Sequence, residues 1–219
     1  MRKDPDDRKE ELIDAAENLF SARGFKQTSV DDICDEVGVA HGLFYYYFDS
    51  KEGVIEAITE KMIAELESHL VEIVEDTEMQ ADEKFKSFLD LSLQRRKERT
   101  YLLSFSSKKE SPKLYYNLFE ETVEMLAPYL TKIVEQGIDE GIFHTDYPEQ
   151  TIRFWLNGRL FLTGEDQVVR EGMFEDMIAE AFMVERLLDS EKRVLTSFYE
   201  EKEEEIKAFL QAARREEIK

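Results

Sequence analysis

Glycine and proline are scarce in this chain, nine and four among 219 residues, and apolar side chains recur at spacings of three and four from end to end. Both residue types interrupt helices, and a three-to-four period lays apolar groups along one stripe of a helix, so the pattern predicts an all-α protein. The first helix follows Asp4-Pro5, with Leu12, Ile13, Ala16, Leu19 and Phe20 on its stripe. It stops at Gly24, suited to a left-handed C-cap, with Phe25 folding back beneath. The second begins after Thr28 or Ser29, each with an aspartate three residues on, and turns Val30, Ile33, Cys34 and Val37 inward. A third spans about Ala40 to Tyr47 and is anchored by Phe44 and Phe48. Asp49 or Ser50 caps a fourth, whose stripe Val54, Ile58, Met62, Leu66, Leu70 and Ile73 persists to about Val74. At 1.5 Å per residue that helix is about 35 Å long, enough to link two domains.

Residues 28–53 are the most informative for function. Two short helices joined by a tight turn at Gly38 form the layout of a DNA-reading helix-turn-helix. The third helix is rich in tyrosine and free of acidic side chains, in a chain whose net charge is -21. A surface kept compatible with phosphate is the reading of that local exception. The charge is a caution, because non-specific DNA affinity comes from phosphate neutralisation. Residues 1–51 themselves hold seven basic against twelve acidic side chains. Screening over roughly 8 Å at physiological salt weakens repulsion from distant carboxylates, so the expected consequence is low non-specific affinity, with binding confined to good sites.

Further helices are predicted at about 82–99, 100–108, 113–140, 148–163, 173–189 and 191–214. Pro128 is expected to kink or divide the 113–140 helix, with Gly137 and Gly141 marking its end. The Glu200–Glu205 run reads as the solvated face of the last helix. Ile152, Phe154, Trp155, Leu156, Leu160, Phe161 and Leu162 make the 148–163 helix apolar nearly all round, and the stripe Phe174, Met177, Ile178, Ala181, Phe182 and Leu188 is similarly wide. Both faces of such helices need cover, which a two-fold partner supplies in an isologous four-helix interface.

Other function classes find little support. His41, His69 and His144 fall in separate segments with no Cys/His metal spacing, and no glycine-rich phosphate loop or nucleophile elbow is present, so no catalytic residue, metal or cofactor is assigned. The single cysteine, Cys34, permits no internal disulfide and fits a reducing cytoplasm. No apolar run approaches the ~18–20 residues that span a bilayer, and the first residues lack the apolar region of a signal peptide, so no membrane is expected as a partner.

The first 55 residues resemble the TetR family of transcriptional regulators. The resemblance rests on Leu19-Phe20-Ser-Ala-Arg-Gly24-Phe25, Thr28-Ser-Val-Asp-Asp-Ile33, Val37-Gly38-Val39, Gly42-Leu-Phe44-Tyr45-Tyr46-Tyr47-Phe48 and Ser50-Lys51-Glu52. It implies a helix-turn-helix DNA-binding domain over 1–55, joined by a long helix to a C-terminal helical bundle over 56–219 that holds a ligand and dimerises. It implies a homodimer that binds a double-stranded operator and answers to a small-molecule effector, most simply as a repressor. Carried over by position, DNA contacts fall on Thr28, Ala40, His41, Gly42, Leu43, Tyr45, Tyr46, Tyr47 and Lys51. Tyr47 stays open between core packing and contact. The chain departs from the family at three of these positions: Ala40 stands where a hydroxyl residue is usual, His41 where lysine or arginine is, and Leu43 where a small or polar residue is more common. A protein-interaction module that keeps the fold but has lost DNA binding is the alternative.

For the effector, the aromatic surplus of the C-terminal bundle nominates Phe88, Phe105, Tyr115, Phe119 and Trp155, with Asn157 and Arg159 as polar orienting groups, and an apolar or aromatic ligand as the partner.

Overall fold

Ten α-helices make up the described part of the chain, residues 5–98, 112–162 and 171–217 of a computed structural model. They are α1 (Pro5–Arg23), α2 (Val30–Val37), α3 (His41–Tyr47), α4 (Lys51–Glu75), α5 (Ala81–Glu98), α6 (Pro112–Asp139), α7 (Pro148–Leu162), α8 (Met173–Leu187), α9 (Val194–Glu201) and α10 (Glu203–Glu217). The all-α expectation holds. The helix expected over 100–108 lies outside the described residues. Among those described, no helix is long and apolar enough to cross a membrane. The chain divides into two units, Met1–Glu65 and Leu66–Lys219, and the division falls within α4.

In the first unit, Leu12, Ala16 and Phe20 of α1, Ile33 and Cys34 of α2, Phe44 and Phe48 around α3, and Val54 and Ile58 of α4 are all buried. Helices as short as α2 and α3 do not persist alone in water. Burial holds them here, at roughly 1.5–3 kcal/mol for each large apolar side chain. The ends are set by local chemistry. Gly24 takes the left-handed conformation (φ 85°) that closes α1, and Phe25 returns to meet Phe20 edge-on, 5.1 Å between centroids. Of the two candidate caps for α2 it is Ser29 that acts: the Asp32 amide donates to its Oγ at 3.1 Å, and the Ser29 amide donates to Asp32 Oδ2 at 2.7 Å. Ser50 Oγ accepts from the Gly53 amide (3.2 Å) at the start of α4.

The capping box carries a first prediction. The Asp32 carboxyl is held below its ordinary value of 3.8, chiefly by the Ser29 hydroxyl, then by the Ser29 amide, with Arg23 also helping. A carboxyl depressed in the folded state stabilises at neutral pH, and that contribution is lost as pH falls through the folded value. Ser29→Ala should lower the stability of the first unit by about 1 kcal/mol at neutral pH. Thermal melts of Asp32→Asn should fall below those of the unsubstituted chain at pH 7 and converge with them as pH falls through the lowered value of the Asp32 carboxyl. Parallel curves across that range would show that the box contributes nothing.

The second unit is built on one core. Phe85 and Phe88 of α5, Leu130, Ile133 and Val134 of α6, Ile152 and Trp155 of α7, Ala181 and Val184 of α8, Leu195 and Phe198 of α9, and Ile206 of α10 all join it. Two expectations are modified. First, α6 runs unbroken through Pro128. The proline is exposed, so the Glu124 carbonyl that loses its helical donor can be met by water. Second, the single helix expected over 191–214 is two, α9 and α10, because the backbone leaves helical geometry at Lys202 (φ -106°, ψ 14°). The offset re-aims the stripe so that Ile206, Leu210 and Ala213 stay buried.

Candidate nucleic-acid interface

The α2–α3 turn is built on one glycine and two backbone hydrogen bonds. Gly38 adopts φ 69°, which other residues resist, and donates to Asp35 O, while Val39 donates to Cys34 O at 2.9 Å. This reverses the chain into α3, whose N-cap is Ala40, a residue with no side-chain acceptor. Phe44 is fully buried and Phe48 nearly so, and their rings lie 5.4 Å apart. With those anchors fixed, the helical repeat turns the neighbouring positions outward. Tyr45 is 56% and Tyr46 75% exposed. Ala40, His41 and Gly42 are exposed too, and Leu43 and Tyr47 are half-buried. A methyl group at Gly42 would meet no atom within 4 Å, so the surface there is open to close approach. Tyr47 lies edge-on to Tyr46, 4.8 Å between centroids, and serves partly as its support.

The other two nominated positions lie at the helix starts beside α3, and their side chains turn inward. Thr28 is buried, and its hydroxyl donates to Gly24 O at 2.9 Å. Lys51 Nζ donates to the carbonyls of Phe25 (2.9 Å) and Thr28 (2.8 Å) and sits 3.8 Å from the Phe25 ring centroid. His41 Nε2 lies against a carboxylate oxygen of Asp31 of α2. The outward face of α3 is therefore almost uncharged: two phenols, an open glycine and an imidazole engaged with a carboxylate. Phenol hydroxyls can bond phosphate or base edges, and the rings are flat apolar bodies of the kind that meets a thymine methyl.

The residues nominated for an effector are less well assembled. Phe88 and Trp155 are buried with ring centroids 6.3 Å apart, and Phe85 lies 5.6 Å from the same indole. Phe119 is half-buried against this core. Asn157 is exposed and donates to Arg153 O one turn back. Phe105 and the side chains of Tyr115 and Arg159 lie outside the described residues. Arg153, on the same helix as Asn157, is held by Glu124 (2.6 Å) and Glu149 (2.9 Å), which push its pKa above the ordinary value, Glu124 first.

Sequence reasoning overlooked two buried carboxylates. Glu180 accepts the Trp155 indole N–H at 2.6 Å inside the core. Glu185 accepts the amides of Leu195 (2.7 Å) and Thr196 (2.9 Å) at the start of α9, together with the Thr196 hydroxyl. The signal for Glu180 was present: it stands between Met177 and Val184, at the spacing that carries the inward stripe.

Comparison with known proteins agrees with this geometry. Residues 12–58 match the family of bacterial regulatory proteins of the tetR type, a span from α1 into α4 that includes the whole α2–α3 turn. The chain is 40% identical over 67 residues to the transcriptional repressor KstR2 of Rhodococcus jostii, a match covering 31% of this chain and 33% of that one. With KstR2 of Mycolicibacterium smegmatis it shares 26% over 169 residues, covering 73% of this chain and 82% of the relative. Among solved structures, FadR of Thermus thermophilus, a TetR-family repressor in complex with lauroyl-CoA, superposes with a TM-score of 0.58 at 19% identity. That superposition covers 82% of this chain and 94% of the other, and shows a shared fold. The open phenol face on a glycine-turned helix pair, the family match over that same segment and the shared all-helical fold agree: residues 12–58 carry the N-terminal segment of the tetR family of bacterial regulatory proteins.

Proposed function

We propose that this chain is a ligand-responsive, DNA-binding transcriptional regulator acting in the cytoplasm, a repressor that a small-molecule effector releases from a palindromic operator. The observation that carries the reading is the outward face of α3. Two large aromatic side chains, Tyr45 and Tyr46, stand exposed there while Phe44 and Phe48 are buried and fix their direction. A contiguous exposed aromatic patch is the mark of an interaction surface. In this reading residues 1–55 contact DNA through Ala40, His41, Gly42, Leu43, Tyr45, Tyr46 and Tyr47, while Thr28 and Lys51, also nominated as contacts, turn their side chains inward at the flanking helix starts.

Residues 56–219 dimerise and hold the effector. Phe154 of α7 is 68% exposed, and Phe182, Met183 and Leu187 of α8 are also left open to solvent by one chain. A two-fold partner covers such patches with the same patch. The homodimer then offers two copies of α3 to successive major grooves, about 34–36 Å apart. An apolar or aromatic effector beside Phe88 and Trp155 fits the chemistry of that core, and a TetR-family relative of the same fold is in complex with lauroyl-CoA.

A second reading, a helical protein-interaction module that no longer binds DNA, is favoured by the net charge of -21 and by the engagement of His41 with Asp31. Mobility-shift assays on DNA upstream of the protein's own coding region separate the two. Salt-sensitive binding to one palindrome by a dimer supports the regulator. No shift on any duplex at low salt favours the interaction module.

A further inference from the structure

We propose that Lys51 is a positioning residue for operator binding: its ammonium group staples the start of α4 to the α1–α2 connection, and so sets how α3 is presented, instead of meeting a phosphate. This deepens the regulator reading above and rests on it.

An ammonium group has three N–H donors. Two of those on Lys51 go to main-chain carbonyls, Phe25 O at 2.9 Å and Thr28 O at 2.8 Å, and the group stands 3.8 Å from the Phe25 ring centroid. Two acceptors and a π face occupy the whole donor set. The acceptors are not incidental. Phe25 O also receives the Thr28 amide (3.0 Å), and Thr28 is the residue immediately before the Ser29 cap of α2. Gly24 O receives the Thr28 hydroxyl (2.9 Å), so the turn from Gly24 to Thr28 is closed on itself before Lys51 reaches it.

The topology gives this staple its leverage. Lys51 opens α4 three residues after Phe48, the anchor that ends α3. Thr28 lies just ahead of α2, which leads through Gly38 into the other end of α3. One ammonium group thus joins the segment entering the α2–α3 pair to the segment leaving it. The face bearing Tyr45 and Tyr46 is held from both ends through a single point. To reach a phosphate, Lys51 would have to abandon both carbonyls and the ring, and the turn would lose the cation that gathers its oxygens.

Salt dependence discriminates the two roles. A lysine that neutralises a phosphate contributes roughly 0.9 to the slope of log affinity against log salt, and its removal lowers the slope by about that amount. The full-length chain, Lys51→Met and Lys51→Gln are titrated between ~50 and 200 mM salt against a duplex that the unsubstituted protein selects from a randomised pool. Affinities are expressed per folded molecule, with the folded fraction taken from circular dichroism. Lys51→Gln can still donate to one carbonyl, so it supplies the measurement should Lys51→Met fold poorly. The expected result is a tenfold or greater loss of affinity at an unchanged slope. It should be accompanied, without DNA, by at least tenfold faster hydrogen exchange at the amides of Leu43 to Phe48. A slope reduced by about 0.9 would overturn the proposal in favour of a phosphate contact. Undiminished affinity per folded molecule would overturn it in favour of a purely stabilising role. Failure of the unsubstituted protein to select any duplex is a separate result, which removes the regulator reading and this role together.

Discussion

Gly137→Ala should destabilise the C-terminal unit by about 3 kcal/mol, toward the upper end of the cost of overpacking a core. The position is inside α6, where alanine would ordinarily be preferred to glycine. Here a methyl group would stand 2.2 Å from Cδ2 and 2.6 Å from Cε2 of Phe143, and 3.1 Å from the Ala81 methyl. The ring cannot simply retreat. Phe143 is fully buried, and its amide and that of Ile142 both donate to the Gly137 carbonyl, at 3.1 and 2.7 Å. Helix, turn and ring are therefore locked at one residue. The chain's one tryptophan, Trp155, lies in the same core against Phe85, which in turn touches Phe143, so its fluorescence during urea unfolding reports the change directly. Adding Phe143→Leu should restore part of the loss, because two substitutions in contact are not additive. A midpoint for Gly137→Ala equal to that of the parent would show that α6 can shift to accommodate the methyl.

The largest effect on DNA binding should come from the exposed phenols. Tyr45→Ala and Tyr46→Ala are each expected to weaken operator affinity by about 1–3 kcal/mol, and the pair together to abolish a mobility shift under ordinary conditions. Thermal stability should stay within about 0.5 kcal/mol of the parent for Tyr46→Ala, since surface substitutions rarely cost more. Tyr45 also meets Phe44 edge-on at 5.4 Å, so Tyr45→Ala should show a small additional loss of stability. Tyr→Phe at each position divides hydroxyl from ring: retained affinity assigns the contact to the apolar face, and lost affinity to the hydroxyl. Alanine at Phe44 cannot serve as a control, because removing a fully buried ring costs about 3–5 kcal/mol and unseats α3 itself. If both single variants shift DNA as the parent does, α3 is not the reading surface.

Much of this molecule was legible before its coordinates. Gly24, Ser29, Gly38 and Ser50 punctuate the first unit through local rules, because a left-handed residue or a hydroxyl cap acts within a few residues of itself. The buried sides of α1 to α4 followed from periodicity for the same reason. Long-range partners were harder to see. Lys51 was nominated for its position at a helix start, but its actual acceptors lie 23 and 26 residues away, and no spacing rule reaches that far. Glu180 and Glu185 went unremarked because their partners, Trp155 and the first amides of α9, come from other segments. The break at Lys202 depends on two successive stripes needing slightly different directions, a property of the assembled core rather than of a run of glutamates.

Glu185 has a consequence for how the protein can be trimmed. Its carboxylate is buried in α8 and neutralises the amide-rich start of α9, with Leu195 and Thr196 supplying all the donors described above. A chain cut after Ser190 would take away every one of those donors and would also uncover the apolar wall that Phe198 and Ile206 close. The last two helices are thus a keystone and no appendage: remove them, and α8 loses its footing.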